Sequence, residues 1–295
     1  MMTVSQALAE ATAALSAAGI SSPAFDAKAL LAEVMSGGDI GRLATTMRES
    51  VPSGAMAAFR GTVERRARRE PLQYILGYTE FHGLRLRCDP RALIPRPDTE
   101  TLVDVVLEAL QRADERRQPM RCLCDIGAGT GAIAIALAVR HPGVTVWATD
   151  VSAEALALAA ENVALHGLAG RVKLLQGDGL AAVLLTGIAE EIEAVISNPP
   201  YVAEAEYAGL EPEVVQHEPM GALVGTDADG LGFYRALCEG LPRIPRLRLV
   251  AFEVGHTQAA AVAGMLGQAL AGFAVTVHRD LGGIERVVMA ETTDD

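Results

Sequence analysis

Five consecutive residues, Ser197-Asn198-Pro199-Pro200-Tyr201, carry the densest chemistry in the chain. The Asn side chain offers a carbonyl acceptor and an NH2 donor on one planar group. Neither proline has an N–H, so a preceding strand cannot extend its ladder through them. Ala194-Val195-Ile196 before them reads as a short buried strand. Asn198 therefore stands at a strand's carboxyl end, the edge where open α/β sheets bind ligands. Asn198, the outward proline carbonyls and the flat ring of Tyr201 together suit a planar –NH2 group held by its two hydrogens. On these five residues alone, a plain Asn-Pro turn after a strand is an equal reading.

A second constellation lies upstream. Gly127-Ala128-Gly129-Thr130-Gly131 falls between a strand, Leu123–Ile126, and a helical run from Ala132 to Val139. Glycines let the backbone turn sharply and approach a ligand closely, and the helix amino terminus beyond them favours a carboxylate. Asp150 ends the next strand, about twenty residues on, where an acid suits ribose hydroxyls. Asp178 ends the strand after that, where an adenine amino group would lie. With Ala132 the turn also meets the looser dinucleotide fingerprint, so these residues alone leave NAD open.

Composition narrows the classes. The 295 residues suit two domains, or one large one with an appendage. The 37 acids against 25 bases give a net charge of −12, which opposes affinity for a nucleic-acid backbone. The four cysteines form no metal-type cluster with histidine. Cys122 and Cys124 read as buried thiols on one strand, expected to face away from each other. No metal site is expected. There is no signal peptide pattern and no uninterrupted apolar run that spans a bilayer, so the expected setting is cytoplasmic, with no membrane partner.

The elements that must position these residues follow in order. Thr3 to about Glu70 reads as helices, one starting at Ser22-Pro23 with Ser as cap and ending at Gly37-Gly38. A later helix, Met56–Arg69, carries Arg60, Arg65, Arg66, Arg68 and Arg69, either a docking face for an anionic partner or a solvated helix face. Thr79–Leu86 reads as a hairpin arm. Leu93–Glu100 reads as a stiff linker into a helix, with Asp98 or Thr99 as its cap. From Arg121 onward strands and helices alternate, which implies a parallel sheet covered by helices. The expected strands are Leu123–Ile126, Val144–Thr149, Val172–Leu175, Ala194–Ile196, Leu247–Val254, Ala274–Val277 and Glu285–Met289.

Taken together, the glycine turn, Asp150 and Asn-Pro-Pro-Tyr resemble the class I methyltransferases that use S-adenosylmethionine to methylate amino or amide nitrogens. Further segments sharpen the resemblance: Gln73–Gly77, Phe81-x-Gly83, Ile94-Pro-Arg-Pro-Asp-Thr-Glu100, Pro212-Glu-Val214, Glu218-Pro219, Asp229-Gly-Leu231 and Glu253-x-Gly255. They are similar to the protein-(glutamine-N5) methyltransferases of peptide chain release factors, the HemK/PrmC family, over nearly the whole chain. Gly179 is a departure, since relatives often carry a large side chain there, and the segment 180–191 is longer than usual.

The resemblance implies an α/β fold. Its Rossmann-like, mostly parallel seven-stranded sheet has an antiparallel last strand and follows a small helical domain. It implies a substrate-binding helical domain over 1–75, a linker and hairpin over 76–100, and a catalytic domain over 101–295. The implied cofactor is S-adenosylmethionine, held by Gly127, Ala128, Gly129, Thr130, Gly131, Asp150, Asp178, Gly179 and Asn198. The implied catalytic group is Asn198, Pro199, Pro200 and Tyr201. Asn198 and the Pro199 carbonyl accept the two N–H groups of a release-factor glutamine, while Pro200 and Tyr201 restrict its plane. Arg96 and Thr99 are expected near the cofactor pocket, and His217 and His256 as surface residues. The alternative is an adenine-N6 DNA methyltransferase, which shares the Asn-Pro-Pro-Tyr chemistry but needs a basic target-reading region and a flipped-base pocket. The acidic balance argues against DNA as a partner. A nicotinamide dehydrogenase gives no reason for Asn-Pro-Pro-Tyr.

Overall fold

The structure, a computed structural model, describes residues 2–293. The chain forms two compact units. The first comprises the residues up to Tyr78 together with Leu210–His217, and the second comprises Thr79–Gly209 and Glu218 onward.

In the first unit, helices Val4–Ala17, Pro23–Ser36, Ile40–Ala44, Ser53–Ala67 and Leu72–Leu76 enclose a core built on Leu15, Leu30, Leu31 and Phe59. Thr3 and Gln6 close a reciprocal capping box at the first helix, which satisfies two amino-terminal donors. Ser22 precedes the second helix without a side-chain capping bond, so Pro23 at the first helical position marks that start instead. Two of the arginines depart from a solvated face, while Arg60 and Arg68 are exposed. Arg66 is buried and donates to Asp26 at 2.7 Å and to Glu213 at 3.0 Å. Arg69 pairs with Glu213 at 3.0 Å and reaches the Gly19 carbonyl at 2.6 Å. Arg65 is bonded to Glu70, and Arg60 lies 3.5 Å from Glu10. These guanidiniums hold the unit's own helices and the Pro212–His217 helix.

A hairpin follows, β1 (Tyr78–Phe81) and β2 (Leu84–Arg87). A helix, Glu100–Glu115, then leads into β3 (Cys122–Ile126), β4 (Thr145–Asp150), β5 (Val172–Gln176), β6 (Ala194–Ser197), β7 (Leu249–Glu253), β8 (Phe273–Arg279) and β9 (Glu285–Thr292). These seven strands form one sheet in the order β5-β4-β3-β6-β7-β9-β8. β3 to β7 run parallel, and β9 runs antiparallel between β7 and β8, so the last strand in sequence is the reversed one. This is the Rossmann-like arrangement, with its order reversing between β3 and β6, and that switch is where such sheets bind ligands.

Burial on both faces explains the near-continuous apolar strands. Leu123, Val146, Ile196 and Ala251 pack into the core on one face, and Cys124, Val195, Val250 and Phe252 into the core on the other. Cys122 lies on the same face as Cys124, not the opposite one, because residues two apart on a strand share a face. Burial raises the Cys124 thiol well above its ordinary range, in keeping with an inert core thiol. All four cysteines are free.

Candidate active site

Register brings the carboxyl ends of the central strands level. Ile126 lies opposite Thr149 and Ser197, Ser197 opposite Phe252, and Asp150 opposite Gln176. A cleft of about 240 Å³ opens over these ends. Its walls include Gly127, Gly129, Asp150, Asp178, Gly179, Asn198, Pro199 and Pro200, eight of the residues expected from the motifs.

Gly127 and Gly129 have φ of +77° and +55°, which L side chains rarely adopt. A Cβ on Gly127 would meet no atom within 4 Å, and one on Gly129 would touch only Ala92 at 4.0 Å. Side chains here would fill the cleft, so the turn is a cradle for a bound group. Gly131 does a different job. A Cβ there would press on Ile135 at 3.2 Å and Ala159 at 3.3 Å, so it serves close packing of two helices. Ala128 and Thr130 are likewise buried behind the turn and not in the cleft wall, Ala128 in the core and Thr130 with its carbonyl accepting from Asn162 at 2.9 Å. The backbone of a tight turn alternates between cleft and core, so only part of the motif can face a ligand.

Asp150 accepts from the Gly129 N–H and from the Ser152 N–H, each at 2.9 Å. These bonds fix the carboxylate at the cleft and leave each oxygen a second lone pair for a hydroxyl donor. Glycine cradle, acid at the next strand end and Asp178 beyond it together fit the nucleoside and carboxylate ends of an adenosyl amino acid. A wider opening of about 530 Å³ adjoins this cleft through Asp178, Gly179 and Phe233. Phe233 supplies the ring on the side where Gly179 has none.

Asn198 is organised by a contact the motif alone does not reveal. Its Nδ2 donates to Thr99 Oγ1 at 3.1 Å, which leaves Oδ1 as the group's free acceptor. Thr99 is buried and makes no capping bond to the following helix. Its hydroxyl serves Asn198 instead. Arg96 also departs from expectation: it pairs with Glu218 at 2.6 Å and does not line the cleft. Glu218 accepts the Ile94 N–H at 3.0 Å, so two signature segments far apart in sequence are tied together, and Pro219 beside them lines the cleft.

Tyr201 is not in the cleft wall either. Its ring packs against the core on one sheet face. Gln258 holds the Tyr201 carbonyl at 3.0 Å. The tyrosine thus anchors the turn from behind. Burial, then the Glu253 charge, push its phenol up to about 12. Burial likewise pushes Glu253 and Asp125 each up to about 7. Asp125, the penultimate residue of β3, accepts the Ala134 N–H at 3.1 Å, with its Oδ1 unpartnered. Thr99, expected near the cofactor pocket, bonds to the cleft residue Asn198, whereas Asp125, Phe233 and the burial of Glu253 escape motif reading. Asp125 alone had a local signal, being two residues before the first glycine. His256 does not line the cleft, and His217 belongs to the first unit. No cluster of His, Cys, Asp and Glu suited to a metal occurs among the described residues, and no helix there is long and apolar enough to cross a membrane.

Comparison with known proteins agrees with this geometry. The model of the PrmC N-terminal domain matches residues 6–77, and that of the methyltransferase small domain matches residues 99–217. A release factor glutamine methyltransferase of Cereibacter sphaeroides is 40% identical over 98% of each chain. One of Deinococcus radiodurans is 40% identical over 96% of each. Among solved structures, the human METTL16 catalytic domain in complex with a MAT2A hairpin superposes with a TM-score of 0.58. It is 21% identical and covers 79% of this chain and 83% of that one. At that identity the likeness is one of fold. The near full-length relatives go further: this chain belongs to the release factor glutamine methyltransferase family.

Proposed function

We propose that the chain transfers a methyl group from S-adenosylmethionine to the side-chain amide nitrogen (N5) of the glutamine in the Gly-Gly-Gln motif of peptide chain release factors, acting in the cytoplasm. The observation that carries this reading is the Asn198 amide at the cleft, with Nδ2 engaged by Thr99 and Oδ1 left as an acceptor. Gly127, Gly129, Asp150, Asp178 and Gly179 are the residues to hold the cofactor. S-adenosylmethionine supplies a methyl group already activated by its sulfonium sulfur.

A glutamine amide nitrogen is a poor nucleophile, because its lone pair is delocalised into the carbonyl. The protein's task is therefore alignment. Asn198 Oδ1 and the Pro199 carbonyl accept the two amide N–H groups, and Pro200 restricts the amide plane. The same acceptors stabilise positive charge as it develops on nitrogen. The nitrogen then loses one proton to water, which requires no dedicated base. Tyr201 acts from behind the turn by fixing its backbone. The helical first unit, with its own core, is assigned the binding of the release factor.

The test is mass spectrometry after incubation with labelled cofactor and separate acceptors. A single methyl on the glutamine of the Gly-Gly-Gln peptide is expected, with a higher kcat/KM for the intact factor than for the isolated loop. A methyl on adenine in DNA, with the peptide unmodified, would select the alternative reading.

A further inference from the structure

Two signature segments, Asp229-Gly-Leu231 and Glu253-x-Gly255, take no part in the alignment described above, yet both meet behind the acceptor-binding turn. Gln258 joins them. It stands half-buried at the start of the helix Ala259–Ala269. Its backbone N–H bonds to the Gly255 carbonyl at 2.9 Å, and its own carbonyl accepts from Val262 at 3.0 Å. Its side-chain amide makes three further bonds. Oε1 accepts the Gly255 N–H at 3.1 Å, and Nε2 donates to the Tyr201 carbonyl at 3.0 Å and to the Asp229 carbonyl at 3.3 Å. The partners fix which way the amide points, because a backbone N–H can meet only its oxygen and two carbonyls can meet only its NH2. Both amide protons are thereby used.

The glycines of the two segments let this contact form. Gly230 has φ of +70°, and a Cβ on it would lie 2.2 Å from the Tyr201 carbonyl oxygen and 3.0 Å from Gln258 Nε2. A Cβ on Gly255 would lie 2.9 Å from Gln258 Oε1 and 3.4 Å from the Tyr201 ring. A side chain at 230 would push the turn away, and one at 255 would displace the Gln258 amide. The loop that Gln258 reaches is itself braced, since Arg235 pairs with Asp227 at 2.6 Å and with Asp229 at 2.5 Å, and Asp229 accepts the Leu231 N–H at 3.1 Å. The chain leaving the turn is held to the same region, where Val202 donates to the Leu223 carbonyl and accepts from the Gly225 N–H, each at 2.9 Å. The turn needs such outside support. Pro199 and Pro200 have no N–H, so it cannot hold itself by backbone donation at those positions.

We propose that Gln258 is a positioning residue for the acceptor amide. By clamping the Tyr201 carbonyl to the Asp229–Leu231 loop and to Gly255, two residues past β7, it fixes the backbone that aims Asn198 Oδ1 and the Pro199 carbonyl into the cleft. This rests on the methyl-transfer reading above. Gln258 does not line the cleft, so it acts through the turn and not on the reacting atoms. The clamped loop runs directly into the helix Gly232–Gly240, whose Phe233 does line the cleft. The acceptor-binding turn is thus held in register with an element of the cleft wall, and in-line transfer depends on that register.

The test measures kcat and KM for the intact release factor, and S-adenosylhomocysteine binding by calorimetry, in the full-length protein and its variants. These are Gln258→Met, Gln258→Glu, Asn198→Ala and the double variant Asn198→Ala/Gln258→Met. Gln258→Met keeps the length of the side chain and removes all three of its bonds. Gln258→Glu keeps the acceptor for Gly255 and, ionised, removes both donors. Each should lower kcat about 10- to 100-fold, the upper end being the cost of a misplacement of about 1 Å. KM for the factor and affinity for S-adenosylhomocysteine should change little. In the double variant the loss should be smaller than the product of the two single losses, because Gln258 acts through the turn that carries Asn198. A general loss of fold would multiply instead. In the free protein, the Asn198 side-chain amide resonance, assigned through Asn198→Ala, should move in both Gln258 variants. Full kcat in either variant, a cofactor affinity that falls as far as kcat, losses that multiply or an unmoved Asn198 resonance overturns the proposal. If the resonance moves as expected but the wild type methylates no release factor, the positioning role stands and the proposed reaction fails.

Discussion

Each unit buries carboxylates, and the two do so in opposite ways. In the helical unit Asp26 and Glu213 meet the Arg66 guanidinium directly, at 2.7 and 3.0 Å, and Arg69 adds a second cation to Glu213. In the sheet unit Glu253 and Asp125 are as deeply buried, yet neither touches a cation through a hydrogen bond, and each keeps one oxygen unpartnered. The first arrangement compensates desolvation with charge and holds helices together. The second leaves the carboxyl close to neutrality, pushed up to about 7 in both cases, beside the two motifs that line the cleft. A buried acid paired with arginine thus serves architecture here, and the two without a direct cation stand beside the cleft motifs.

The largest effect should come from breaking the paired cluster. Arg66→Ala strands Asp26 without its cation and leaves Glu213 to Arg69 alone. Removing one member of a buried pair costs about 3–5 kcal/mol. Urea denaturation followed by a probe in the helical unit should show that loss. Retained stability would mean that Arg69 suffices and that the cluster is redundant. Next in size is the cleft residue itself. Asn198→Ala removes one oriented acceptor and should cut kcat/KM by about 10²–10³. Its stability should hardly change, the reverse of the arginine variant, and a stability loss equal to that of Arg66→Ala would erase the contrast.

These opposite outcomes match what was legible in the sequence. The strands, their order along the chain and the strand-end position of Asn198 follow from apolar runs and from prolines that stop a ladder. The glycine turn and Asp150 were legible because their spacing is local. The pairing of Arg66 was not legible because an arginine-rich helix says nothing of acids at Asp26 and Glu213, which are 40 and 147 residues away. Thr99 makes no cap, and its bond to Asn198 was not legible although it was expected near the pocket, because the two lie 99 residues apart. Tyr201 looked like a cleft residue because the motif lists side chains in a row. Two prolines then aim Asn198 one way and the ring another. Glu253 was visible only as part of a signature, since a charge at a strand end is unremarkable until burial is known.

Asp150 falls between the two kinds of acid. It is half-buried and is satisfied by two backbone N–H groups in place of a cation. Asp150→Ala should weaken S-adenosylhomocysteine binding by about 1.5–3 kcal/mol, the range for hydrogen bonds to a charged group. Calorimetry reads this directly, and NADH should not bind to the wild type. The loss should appear in cofactor affinity, with stability little changed.

The smallest expected effect is on the pH dependence of stability, and its sign distinguishes the two kinds of buried acid. Glu253 ionises at about 7 when folded against an ordinary value of 4.5. Asp125 does so at about 7 against 3.8. For such groups the folded state binds the proton more tightly than the unfolded chain. Their contribution is therefore fully favourable below the unfolded values and is lost as pH rises through the folded ones. Stability of the sheet unit should fall between about 4 and 7, where a salt-bridged carboxylate would make it rise. Glu253→Gln and Asp125→Asn should each flatten that fall, by on the order of 1–2 kcal/mol. Each amide still fills the volume but gains a donor without a partner, so part of the gain is offset. Urea midpoints taken across this range in the three proteins provide the measurement. A wild-type midpoint that rises steadily from 4 to 7, unaffected by either substitution, would mean that both carboxyls are as fully compensated as the Asp26–Arg66 pair, and the distinction between the two regions would collapse.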